Sequence, residues 1–157
     1  MFNDIDEIKR TGFSGFYRIR ELINDSSLIP ISGGVYLVLN NYNNAVDFLE
    51  IGTGGYFKGK NPNVPLAVLR REWVDNTKVI YVGKATSLKS RIKQYLGFGQ
   101  GKNIGHYGGR YIWQIKHSTD LIVCWKTIAS NPEQFESELL RQFLSIYGCL
   151  PFANLRG

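Results

Sequence analysis

The sequence predicts an α+β domain on a small, mainly antiparallel three-stranded sheet flanked by helices. Short apolar runs with strand-like patterning recur at residues 32–40, 78–83 and 121–128. The segments 85–97 and 132–147 instead carry apolar residues at helical spacing, so the order is strand, strand, helix, strand, helix. The chain has 157 residues, 43% hydrophobic and 20% charged, which suits one compact domain with its own core.

The elements follow in order. Residues 1–30 form an N-terminal extension in which 13–24 (FSGFYRIRELIN) read as a short first helix. In SGGVYLVLN, Val35, Leu37 and Leu39 share one face and Tyr36 and Val38 the other. Both faces are apolar, as in a central strand. Residues 41–78 are an insert, rich in glycine and proline up to Pro65 and helix-like over 65–74, with Pro65 near the first turn. KVIYVG is the second strand, ending at Gly83. In the next helix Thr86 or Ser87 can cap the start, Gly97 can end it, and Leu88, Ile92, Tyr95 and Leu96 form its buried stripe. A glycine-rich loop containing His106 precedes the third strand, LIVCWKTI. The last helix starts near Asn131-Pro132 and runs to Gly148.

Charge and composition bound the function. The net charge is +6, and residues 76–119 hold eight Lys or Arg and no acid. Such a run reads as a phosphate-binding face or as a solvated basic surface. No apolar run approaches the ~20 residues of a membrane helix. The polar, acidic N-terminus lacks the layout of a secretion signal, so a cytoplasmic location and no membrane partner are expected. Cys124 and Cys149 have no metal spacing and read as two small buried hydrophobes. There is no phosphate-binding GxxxxGK[ST] loop, no dinucleotide glycine pattern, no zinc cluster and no serine-hydrolase elbow.

A few residues stand out for chemistry. At 100° per residue, Glu136 falls inside the apolar stripe of the last helix, with Leu139, Leu140, Phe143, Ile146 and Tyr147, while Glu138 lies on the polar side. A carboxylate in that position is costly without a cation. It either binds a ligand, pairs with a buried arginine, or lies at an exposed helix end. Arg91 sits at the edge of its stripe, able to reach a cleft or to pack its stem on the core. Tyr36 and Tyr81 are strand tyrosines, which are commonly core residues. His106 lies in a loop, where function concentrates. His117 reads as a surface residue.

Together these residues resemble the GIY-YIG nuclease superfamily. Gly34-Val35-Tyr36 resembles the first motif, and Tyr81-Val82-Gly83, followed by Lys84, the second. VIYVGKATSLKSRIKQYL is similar to the GIY-YIG domain of bacterial excision-repair incision nucleases. Arg91 lands on the family's helix arginine, Glu136 (in ESELL) on its metal-binding glutamate and Asn154 (in LPFAN) on its terminal asparagine. The 44 residues between Tyr36 and Tyr81 far exceed the usual spacing. Restriction enzymes of the superfamily carry longer inserts there, and a histidine after the arginine to which His106 corresponds.

The resemblance implies a GIY-YIG fold, DNA as substrate and one Mg²⁺ or Mn²⁺ held by Glu136. Tyr36 would position or deprotonate the water, its pKa lowered by Lys84, Arg91 or the metal, with Tyr81 sharing the role. Arg91 would clamp the phosphate and Asn154 orient the site. Lys89, Lys93, Lys102 and Arg110 would hold the flanking backbone, and Lys58 and Lys60 of the insert would add contacts. The insert itself is expected as a loop and helix displayed at the domain edge. A homodimer, as in restriction-type members, is compatible with so short a chain. The alternative is a module that binds nucleic acid with the same fold and basic face without cutting it.

Overall fold

The structure, a computed structural model, describes residues 1–42 and 45–155. The α+β class is borne out. Among these residues the chain forms α1 (Ile5–Arg10), β1 (Ser14–Arg18), α2 (Ile19–Asn24), β2 (Gly34–Leu39) and α3 (Leu66–Glu72). β3 (Val79–Ala85), α4 (Leu88–Gly99), β4 (Ile122–Thr127) and α5 (Pro132–Tyr147) follow. The sheet has four strands rather than three, ordered β1-β4-β2-β3, and every neighbouring pair is antiparallel.

The additional strand lies where the sequence predicts a helix over 13–24. Gly12 (φ +99°), Gly15 (φ +93°) and Phe16 (φ 62°) all have positive φ, which a right-handed helix excludes. A Cβ on Gly15 would stand 2.8 Å from the Trp125 ring, so this backbone lies directly on β4. β1 therefore pairs with β4 through a bulge between Gly15 and Tyr17, and only Ile19–Asn24 becomes helical. Helix α1 is legible in retrospect: Asp4 caps it by accepting from the Asp6 N–H, with acids in its first turn and Lys9 and Arg10 in its last. The 1–30 segment is structural core, since Phe2, Ile8, Phe13, Ile19, Leu22 and Ile29 are all buried.

β2 is central, paired with β3 and β4, and all six of its residues are buried. Its two faces serve two cores. Tyr36 and Val38 face a layer containing Ile92, Tyr95 and Leu96 of α4, while Val35, Leu37 and Leu39 face Leu139 and Phe143 of α5. α4 starts where expected, with Ser87 accepting from the Ser90 N–H, but runs past Gly97 to Gly99.

In α5 only Leu139 and Phe143 are fully buried, and Ile146 is 61% exposed. The inward face is centred on the line Glu136–Leu139–Phe143–Tyr147. Ile146 lies about 65° off that line, so the stripe is narrower than the sequence suggests. Cys124 is buried, as expected, whereas Cys149, just beyond α5, is exposed.

The insert is not a displayed appendage. Leu69 of α3 is fully buried, and Trp73, Phe48 and Phe152 form an aromatic cluster with centroids 5.1–5.9 Å apart. Gln114, 1% exposed, donates to the carbonyls of Leu49 (3.0 Å) and Val64 (2.9 Å) and accepts from the Val64 N–H (2.9 Å). Aromatic area and backbone polar groups both need partners, and the domain supplies them.

Candidate functional site

The two glycine–tyrosine triplets meet across β2 and β3. Tyr36 lies opposite Gly83 in the register, and Tyr81 opposite Val38. A Cβ on Gly83 would stand 2.3 Å from Tyr36 Cζ, so the missing side chain is the space that the tyrosine ring occupies. A Cβ on Gly34 would stand 2.1 Å from the Lys126 carbonyl oxygen, which excludes any side chain there. The rings of Tyr36 and Tyr81 are 6.0 Å apart, and only Tyr81 retains some exposure (8%, against 1% for Tyr36).

His106 arrives behind Tyr36 from the glycine-rich loop. Its Nδ1 lies 2.8 Å from the Gly108 carbonyl, which can only accept, so Nδ1 carries the proton. Nε2 then accepts from the Tyr36 hydroxyl at 3.1 Å. The imidazole packs on Tyr95 at 4.3 Å and is 1% exposed. Burial, aided by the Arg91 charge, lowers its pKa to about 4, so the ring is neutral.

This histidine makes a testable contribution to stability. Its proton is taken up near pH 6.5 in the unfolded chain and near 4 in the folded one. Between those values the unfolded state binds more protons, so the contribution is complete above pH 6.5 and is lost as the pH falls to 4. The expected loss is about 3 kcal/mol. Urea unfolding of wild type and His106→Gln at pH 8 and pH 4.5 checks it: the wild type should lose that much more stability on acidification. Parallel pH dependences would remove His106 as the cause.

Burial raises the Tyr36 hydroxyl well above the ordinary phenol pKa, the neighbouring Tyr81 adds to this, and Arg91 offsets only part of it. This differs from the expectation that Lys84 and Arg91 depress it. The reason is geometric: Tyr36 keeps only 1% exposure, and the Lys84 ammonium is engaged at 3.2 Å from Glu133 and 4.0 Å from Glu136. Tyr81 is raised as well, again mainly by burial.

Tyr36, Tyr81, Lys84, Arg91 and Glu136 line one cleft of about 710 Å³ between α4 and the start of α5. The Glu136 side chain is 18% exposed, and its pKa is raised by burial against the opposing pull of Lys84. Glu138 is 45% exposed, with its carboxylate spent on Arg141 and Gln142. Of the two glutamates only Glu136 faces the cleft. Arg91 donates to the Gln94 side chain at 3.2 Å. Ser87, Ser90, Gln94, Asn131 and Glu133 also line the cleft and are not foreseen in the sequence. Only Glu133, one helical turn before Glu136, carries a signal there.

Other expected site residues lie outside this cleft. Asn154 binds the backbone of Val82 twice, its Oδ1 accepting from the N–H and its Nδ2 donating to the C=O, both at 2.9 Å. With Ala153 donating to the Ile80 carbonyl (2.9 Å), the C-terminal segment substitutes for a strand on the free edge of β3 and fixes the backbone between Tyr81 and Gly83. Asn154 is thus a positioning residue. Arg110 packs over the rings of Tyr107 (4.2 Å) and Tyr111 (5.4 Å), with Nε buried and without a hydrogen-bond partner. Lys89, Lys93 and Lys102 gather at an adjoining groove. Lys58 and Lys60 of the insert lie over Phe57 and Tyr107.

Among the described residues no group of three or more His, Cys, Asp and Glu could enclose a metal ion. Glu136 offers instead a single partly desolvated carboxylate facing an open cleft. That fits a hard cation such as Mg²⁺, which keeps several waters and binds through one or two carboxylates plus substrate phosphate. Comparison with protein-family models, curated proteins and solved structures finds no significant match to this chain.

Proposed function

We propose that the chain is a metal-dependent DNA endonuclease of the GIY-YIG type, hydrolysing phosphodiester bonds in the cleft between α4 and α5. The observation that carries this reading is the convergence of Tyr36, Tyr81, Arg91 and Glu136, from four separate elements, on one cleft with His106 behind Tyr36. Folding alone does not reward Glu136 at this position, because partly burying a carboxylate beside buried phenols costs stability. The acid-free basic run over 76–119 supports a polyanionic substrate.

In this reading Arg91 pairs with the scissile phosphate and stabilises charge developing on its oxygens. Glu136 would hold Mg²⁺ or Mn²⁺, which when bound supplies Lewis-acid stabilisation of the phosphoryl oxygens. Tyr36 receives a proton from the attacking water while passing its own to His106 Nε2, so a phenol of raised pKa never persists as phenolate; the P–O bond to the leaving oxygen breaks, and that oxygen takes a proton from water in the open cleft. Burial is the larger cause that disfavours imidazolium, and phosphate in the cleft would offset only the second, the Arg91 charge. Tyr81 shapes the wall beside Tyr36, and Asn154 holds its strand. Lys84, 4.0 Å from Glu136, would bring its ammonium group to the phosphate side of the cleft. A cytoplasmic location and the absence of a membrane partner belong to the same reading. No helix among the described residues is long and apolar enough to cross a membrane.

Incubation of supercoiled plasmid with the protein tests the proposal. Nicking or linearisation is expected with Mg²⁺ or Mn²⁺ and should vanish with EDTA. DNA binding by folded protein, without cutting under either metal, would favour the non-catalytic binding module.

A further inference from the structure

Ser87, Ser90 and Gln94 of α4 line the candidate cleft on one side and a second groove of about 590 Å³ on the other. The two concavities therefore share a rim. Part of the second groove's floor is Ile104, folded so closely over α4 that a Cβ on Gly97 would stand 2.6 Å from its Cδ1. Ile23 of α2 adds to the floor, and Ile31 at the edge is 77% exposed.

Lys89, Lys93 and Lys102 bring the charge. Lys89 and Lys93 are four residues apart on α4, about 6 Å along one helix face. Among the described residues no carboxylate lines the groove. Outside the lining, Asp25 accepts from the Ser27 N–H and hydroxyl, and these bonds, with the Lys89 charge adding to them, hold its carboxyl below the usual range. The first N–H groups of α4 are already used: Leu88 donates to the Ser32 carbonyl (2.9 Å), Lys89 to that of Pro30 (2.9 Å) and Ser90 to Ser87 Oγ (3.3 Å). Attraction for phosphate therefore comes from the lysine ammonium groups and not from the helix terminus.

Resting on the nuclease reading, we propose that this groove holds an unpaired DNA strand adjoining the scissile phosphate. The preferred substrate is then a junction of duplex and single strand, such as a flap or bubble. An uninterrupted duplex presents phosphates and sugars to a protein surface and keeps its base faces stacked inside, so lysines alone would serve it. An apolar floor between lysines gains more from bases turned outward, whose faces add to the apolar surface of the sugars. Gln94 and Gln100 bring amide groups to the same groove for base edges. Aliphatic rather than aromatic side chains form this floor, so it offers bases apolar contact without aromatic stacking.

The test measures binding without chemistry. Labelled flap, bubble and fully paired duplexes sharing one strand are titrated by fluorescence anisotropy with Glu136→Ala protein in Mg²⁺. The flap and bubble should bind about tenfold more tightly than the duplex. Ile31→Glu and Lys93→Glu should each remove that preference, and the exposure of Ile31 makes its variant safe for folding, as thermal melting will confirm. Equal affinity for flap and duplex, or a preference that survives both substitutions, overturns the groove assignment. The two readings fail differently: wild-type protein that cuts duplex and flap alike loses the groove and keeps the nuclease. Protein that prefers flaps through Ile31 and Lys93 but cuts nothing keeps the groove and loses the nuclease.

Discussion

Glu136→Ala is expected to lower plasmid cleavage by about a thousandfold or more, with the fold intact. The magnitude corresponds to about 4 kcal/mol of transition-state stabilisation, the scale of removing a key electrostatic element from an active site. Stability should hold, because the lost carboxylate is partly desolvated and Lys84 keeps Glu133 as a partner at 3.2 Å. Glu138→Ala is the matched control. It sits on the same helix, exposed and paired with Arg141, and its loss should leave the cleavage rate near wild type. Single-turnover rates, with melting temperatures for both variants, settle the comparison. A Glu136→Ala protein that still cuts at the wild-type rate would move the chemistry out of this cleft. Because burial raises the Glu136 pKa and the carboxylate must be ionised to attract a cation, cleavage should also fall on the acid side of its pH profile.

Tyr36→Phe should cost about 10²–10⁴ in rate, the usual worth of a positioned proton-transfer group. It removes one oxygen and one hydrogen bond, that to His106 Nε2, for about 1 kcal/mol of stability. Gly83→Ala approaches the same hydroxyl from the other strand. Its methyl group would enter the space of the Tyr36 ring, costing about 1–3 kcal/mol of stability. Displacing the hydroxyl by even ~1 Å should cost about a hundredfold in rate. Tyr36→Phe cutting at wild-type rate would eliminate the relay through His106. Loss in Tyr36→Phe with no loss in Gly83→Ala would show that the ring tolerates displacement.

Local patterning made several elements readable. β2 announced its central place because both of its faces are apolar, and α4 because Ser87 and the Leu88–Ile92–Tyr95–Leu96 stripe agree. The phase argument for Glu136 over Glu138 rested on 100° per residue, and the folded helix keeps that phase. The same argument overreached at Ile146, since periodicity gives a direction but not the width of the surface an element packs against. β1 was hidden because FYRIR suits helix and strand alike. What decides is the Trp125 ring against Gly15, a contact 110 residues away in sequence. The insert misled for the same reason, because its partners Gln114 and Phe152 lie far along the chain.

The sequence by itself determined the α+β class, most element positions, the segregation of positive charge and the set of residues suited to a site. Those follow from short-range periodicity, capping and composition, which are written locally. The tertiary structure decided that His106 stands behind Tyr36 with Nε2 accepting its hydrogen bond, that Gly83 makes room for that ring, and that Asn154 clamps β3 instead of entering the cleft. It also decided the raised Tyr36 pKa and the separation of Arg110 from Lys89, Lys93 and Lys102. Each depends on burial and on distances between residues remote in sequence, and neither quantity exists until the chain has folded.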